Sequence, residues 1–75
     1  MKTKILLTPQ TAREFVEIAS KCDFDIDIAG NNRYIVDAKS ILGVLGLDFS
    51  RPLTLSYDGF NARLESFIKA CTLAS

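Results

Sequence analysis

The sequence predicts an α+β fold built as a two-layer open-faced sandwich, a four-stranded antiparallel sheet with helices on one face, in the order βαββαβα. Three observations carry that expectation. Short stretches at residues 2–7, 23–28 and 53–57 alternate apolar with polar side chains, the period of a strand with one wet side. Between and after them, apolar residues recur every three or four positions, the period of a helix lying on a core. With 75 residues there is material for one hydrophobic core, so residues 1–75 read as a single domain whose helices cover the apolar face of the sheet together.

Each element has its own signal. In residues 2–7, Thr3, Ile5 and Leu7 fall on one face and Lys2, Lys4 and Leu6 on the other. Pro9 cannot continue a central strand but suits a first helical position, with Thr8 ahead of it as cap. Ala12, Phe15, Val16, Ala19 and Cys22 then form an apolar stripe, while Arg13, Glu14, Glu17 and Lys21 point outward. Thr11 and Glu14 also fit a capping box, which leaves a start at Thr11 open. Asp23-Phe24-Asp25-Ile26-Asp27-Ile28 is the cleanest alternation in the chain. Gly30, Asn31 and Asn32 supply a tight turn, and Arg33-Tyr34-Ile35-Val36 returns as the second strand of a hairpin.

Ser40 caps a short helix with Ile41, Leu42, Val44 and Leu45, which Gly43 weakens and Gly46 ends. Pro52 opens the last strand, where Leu53, Leu55 and Tyr57 alternate with Thr54 and Ser56 up to the Asp58-Gly59 turn. A final helix is expected to bury Phe60, Leu64, Phe67, Ile68 and Cys71 on one side.

Composition excludes several functions. Nine Lys plus Arg balance nine Asp plus Glu, so the chain lacks the general basic field that draws proteins onto nucleic acid. Pro9, Gln10, Arg13 and Glu14 cut the first apolar run short of a signal-peptide core, which disfavours secretion and membrane insertion and points to the cytoplasm. Cys22 and Cys71 stand far apart, with no CxxC pair and no histidine anywhere, so they read as reduced core or near-core thiols, with a disulfide between them the minor alternative, and no metal or cofactor is implied. Asp23, Asp25 and Asp27 do not make a calcium loop, because Ile28 stands at the glycine position and Tyr34 at that of the closing glutamate. No nucleophile and base can be paired, and no glycine-rich phosphate loop is present, so an enzyme is not expected.

Two architectures share most of the βαββαβα order, the ferredoxin-like split βαβ and the HPr-like sandwich, and periodicity does not separate them. The segment Asp37-Ala38-Lys39-Ser40-Ile41-Leu42-Gly43-Val44-Leu45-Gly46-Leu47 resembles the region around the regulatory serine of HPr phosphocarriers and their catabolite-repression paralogues. Thr11-Ala12-Arg13-Glu14-Phe15-Val16-Glu17-Ile18-Ala19 looks like that family's first helix, and Asp25-Ile26-Asp27-Ile28 with its Gly-Asn turn looks like its central hairpin. The resemblance covers nearly the whole chain and implies the HPr-like fold.

The chain departs from the family at the carrier site. Phosphocarriers place a histidine just ahead of the first helix, in a Gly-Leu-His-x-Arg-Pro-Ala pattern. Matching Phe15 and Val16 to the family helix sets Thr8 near the histidine position and Gln10 near that of the following arginine. Setting Gln10 at the histidine position, as in paralogues with glutamine there, requires a deletion at the helix start. Neither alignment restores an imidazole. A threonine ester is far less labile than a phosphoramidate, and an amide nitrogen is not nucleophilic, so Thr8, Gln10 and Arg13 read as a degenerate carrier site. Arg13 alone is more simply an exposed helical arginine.

What remains is the short helix. The resemblance makes Ser40 a candidate for regulatory phosphorylation, although a serine at a helix start is accounted for by capping alone. A phosphate there is expected to sit beside Lys39 at the helix N-terminus. A short helix can spend Ile41, Leu42 and Leu45 on the core, but with Val44 they exceed one narrow stripe, and the resemblance implies an apolar patch on this helix, so with Lys39 they form a candidate partner-binding surface. The implied partners are proteins: the family's serine kinase, a transcriptional regulator or transporter domains. The expected role is thus a non-carrier regulatory protein of bacterial carbon metabolism, related to the phosphotransferase system. The alternative is a divergent adaptor or structural module without a phosphorylation role.

Overall fold

The computed structural model describes residues 1–30 and 34–72. The elements are β1 (Lys2–Ile5), α1 (Pro9–Ser20), β2 (Ile26–Ala29), β3 (Ile35–Asp37), α2 (Ile41–Leu45), β4 (Leu53–Tyr57) and α3 (Ala62–Cys71), the expected βαββαβα order. The sheet runs β1-β4-β2-β3 with every neighbouring pair antiparallel. Strands β2 and β3 form the expected hairpin, with Ile28 opposite Val36. Of its predicted turn, Asn31 and Asn32 lie outside the described residues, as does Arg33 at the start of the return strand.

One face of the sheet is dry. Ile5, Ile26, Ile28, Leu53 and Leu55 are fully buried there and join Ala12, Phe15, Val16, Ile18 and Ala19 of α1 and Leu64, Phe67 and Ile68 of α3 in a single core. Phe15 and Phe67 stack at a centroid separation of 5.9 Å and tie α1 to α3. The intervening strand residues, Lys2, Lys4, Asp27 and Asp37 among them, face solvent. The end of α3 closes against the outer margin of β1. The Leu6 N–H donates to the Cys71 carbonyl at 3.0 Å, and Ile5 pairs with Thr72. Cys22 and Cys71 are free thiols, the first buried and the second half-buried, and burial pushes both thiols up from their ordinary range.

Three expectations need correction. The alternation from Asp23 does not make a strand until Ile26, because the chain bends at Asp23 and Phe24. The Phe24 ring instead stacks on Tyr57 at 5.9 Å and lies against Gly59, where an added Cβ would meet its ring carbons at 2.5 Å. Phe60 is not a core residue: Asn61 caps α3 by accepting the Leu64 N–H, so Phe60 falls outside the helix and is 75% exposed. The capping box of α1 pairs Thr8 with Thr11, not Thr11 with Glu14, and the helix starts at Pro9.

Candidate functional site

The start of α1, where a degenerate carrier site is expected from the sequence, is closed by its own side chains. Thr8 has an extended backbone, and its Oγ1 accepts the Thr11 N–H at 3.2 Å. Thr11 Oγ1 in turn accepts the Thr8 N–H at 2.8 Å, and the Ala12 N–H closes the first helical bond on the Thr8 carbonyl at 2.8 Å. Pro9, at the first helical position, has no N–H to give. A helix N-terminus binds anions through the amides it leaves without partners. Here those of Thr8 and Thr11 are engaged and that of Pro9 does not exist, so Gln10 alone has an amide to offer. Arg13 lies a turn further along and is exposed. This arrangement offers neither a nucleophilic nitrogen nor a multi-amide cradle for a phosphoryl group.

The start of α2 is built differently. The Asp37 carbonyl accepts the Ser40 N–H at 2.9 Å and Asp37 Oδ1 accepts the Lys39 N–H at 2.9 Å, which fixes the turn out of β3. Ser40 caps the helix with its Oγ accepting the Gly43 N–H at 3.4 Å, a long bond, and the serine is exposed. Gly43 sits close to its neighbours: a Cβ there would stand 3.3 Å from Ser40 Oγ and 3.4 Å from Val36 Cβ, a snug fit that asks the cap to shift by a few tenths of an ångström. Val44 is fully buried and Leu45 half-buried against the core, whereas Ile41 is 39% exposed and Leu42 83% exposed. The exposed serine is therefore followed directly by two apolar side chains facing water.

Lys39 does not stand beside the Ser40 hydroxyl as a free cation. It is half-buried, and its Nζ donates to the Cys22 carbonyl at 2.9 Å, joining the turn before α2 to the end of α1. Its charge lowers the Cys22 thiol, partly offsetting the rise from burial. The sequence carries no sign of this bond, since it depends on the path of a long side chain across the fold. Among the described residues, no cluster of three or more His, Cys, Asp or Glu could hold a metal ion, and no helix is long and apolar enough to cross a membrane.

The strand order and the helices on one face place the chain among the open-faced β-sandwiches. The family described as the PTS HPr component phosphorylation site matches residues 7–64, a span that includes both helix starts. Solved structures agree with that match. The HPr-C-His protein of Thermoanaerobacter tengcongensis is 28% identical, with a TM-score of 0.66 over 93% of this chain and 90% of its own. The phosphocarrier protein HPr of Bacillus anthracis is 25% identical, with a TM-score of 0.69 over 96% and 94%. The catabolite repression containing protein Crh of Bacillus subtilis, described as an intertwined, domain-swapped dimer, shares the fold at 24% identity and a TM-score of 0.63 over 95% and 88%. No curated protein sequence matches the chain. The chain belongs to the HPr family.

Proposed function

We propose that residues 1–75 act as one HPr-like unit that does not carry phosphoryl groups, is not an enzyme, and regulates by binding protein partners in the cytoplasm of bacteria, in carbon metabolism. The observation that carries this reading is the pairing of an exposed capping serine, Ser40, with the exposed Ile41 and Leu42 on α2. The absence of any histidine and the self-capped start of α1 support the non-carrier half. Phosphorylation of Ser40 adds a charge of about −1.5 to −2 beside an apolar patch. With the Lys39 ammonium held by the Cys22 carbonyl, that charge changes the surface a partner meets and leaves the fold in place. Lys39 then acts by tying the turn ahead of α2 to the end of α1, and Leu45 contributes its half-exposed edge. The partners follow the family: its serine kinase first, then a transcriptional regulator or transporter domains.

The test is incubation with an HPr-family serine kinase and ATP, with an authentic HPr as positive control. A mass gain of one phosphoryl group, lost in Ser40→Ala, is expected, together with no labelling by phosphoenolpyruvate and the general phosphotransferase enzymes. An unchanged mass beside a labelled control refutes the regulatory role of Ser40. The remaining reading is then an adaptor without phosphorylation, in which Ser40 serves only to cap the Gly43 amide.

A further inference from the structure

The face of the sheet away from the helices carries a pattern that phosphorylation and α2 do not use. Strand register sets two rows across it. One runs Lys2, Ser56, Asp27, Asp37 and the other Lys4, Thr54, Ala29, Ile35. Both lysines therefore stand on the β1 margin and both aspartates toward the β3 margin. Between them Ala29, Thr54 and Ser56 are small, and with Lys2, Asp27 and Ile35 they line a shallow hollow of about 130 Å3. Ile35 is 64% exposed beside it. Neighbouring strands are about 4.8 Å apart, so Lys2 and Asp27 stand about 10 Å from one another. The face is a basic strip and an acidic strip separated by a low centre.

We propose that this face binds a second copy of the chain, sheet to sheet, about a two-fold axis parallel to the strands. That rotation lays the β1 margin of one copy over the β3 margin of the other. Lys2 then meets the partner's Asp37, and Lys4 lays its aliphatic stem over the partner's Ile35. A two-fold axis across the strands would instead set Lys2 on the partner's Lys4 and leave Asp37 over the partner's Ile35, so the charge pattern selects one orientation. Small side chains in the central rows let the two sheets approach. The contact covers a few hundred Å2 per copy, well under the ~800 Å2 per partner of a standard stable interface, so the dimer is weak and concentration-dependent. Because α2 lies in the opposite layer, each copy keeps Ser40 and Leu42 free, and the dimer presents two docking patches.

Sedimentation equilibrium of the full chain tests the proposal independently of any kinase. At low salt a reversible monomer–dimer equilibrium is expected, weakening about tenfold when the salt is raised enough to shorten the screening length from about 10 Å to a few Å. The variant Lys2→Glu with Lys4→Glu and the variant Asp27→Lys with Asp37→Lys should each be monomeric, and their equimolar mixture should form a heterodimer. Asp37→Lys also gives up the bond to the Lys39 amide, so Asp27→Lys alone replaces it if thermal melting shows the double variant unfolded. Its mixture with the glutamate variant should still associate more tightly than either variant does with itself. A wild-type chain that stays monomeric to millimolar concentration overturns the proposal. A dimer that exchanges slowly and ignores the charge reversals, as strand swapping would give, overturns it as well.

Discussion

Replacing Leu42 by alanine asks whether α2 carries a docking residue or one more core residue. Leu42 is 83% exposed, so folding takes only about a sixth of its surface out of water. Full burial of a leucine is worth about 1.5–3 kcal/mol, and a sixth of that is about 0.3–0.5 kcal/mol. Alanine's helix propensity returns a few tenths of a kcal/mol. The net loss should stay below about 0.5 kcal/mol, which lowers the Tm of a domain this size by less than about 4 °C. Val44→Ala, at a fully buried site in the same helix, is the contrast: two lost methylene equivalents plus a cavity come to about 2 kcal/mol, a Tm drop of about 8–16 °C. Melts followed by circular dichroism give both values. In the kinase assay at limiting substrate, Leu42→Ala should lower kcat/KM by about tenfold, and Val44→Ala should change it little below its own melting range. A Tm loss for Leu42→Ala as large as that for Val44→Ala would show Leu42 to be packed inside. An unaltered kcat/KM would remove Leu42 from the docking surface.

Other perturbations probe the supports of the site. Thr8→Ala removes the acceptor for the Thr11 amide and should cost about 1 kcal/mol, read as a Tm drop of about 4–8 °C. Gly59→Ala pushes a methyl group into the Phe24 ring and should cost about 1–3 kcal/mol by overpacking, with a change in the near-ultraviolet spectrum of the Phe24–Tyr57 stack. Tyr57 donates to Glu65 at 2.5 Å, and burial, that bond and the Glu65 charge push its hydroxyl up to about 12. Its folded-state value lies above the unfolded one, so the associated stability is intact below about pH 10 and lost as pH rises toward 12. Urea midpoints across that range should fall with pH, and less steeply in Glu65→Gln.

Much of the frame was legible because local signals agreed with the global fold. Thr8-Pro9 marks a helix start, Ser40 a second, and the alternation of Leu53, Leu55 and Tyr57 a half-buried strand. The surplus of apolar residues from Ile41 to Leu45 leaves both burial and exposure open in the sequence, and the five-residue helix resolves it by exposing Ile41 and Leu42. Phe60 was misplaced because its spacing to Leu64 fits a helical stripe, yet the Asn61 cap was the better guide. Phe24 fits the strand period, but its ring is claimed by Tyr57 and Gly59, residues distant in sequence. The Lys39 bond to Cys22 and the reciprocal Thr8–Thr11 cap depend on side-chain rotamers, which periodicity does not encode.

The seal of Cys71 and Thr72 over the outer side of β1 bears on how this small sheet survives at high concentration. Runaway stacking of strands needs two receptive flanks, so that every newcomer leaves a fresh one for the next. With the Ile5–Leu6 end of that flank already taken by the chain's own helix end, a newcomer finds only the short, lysine-bearing run Lys2–Lys4 there, a poor foothold for an endless ribbon.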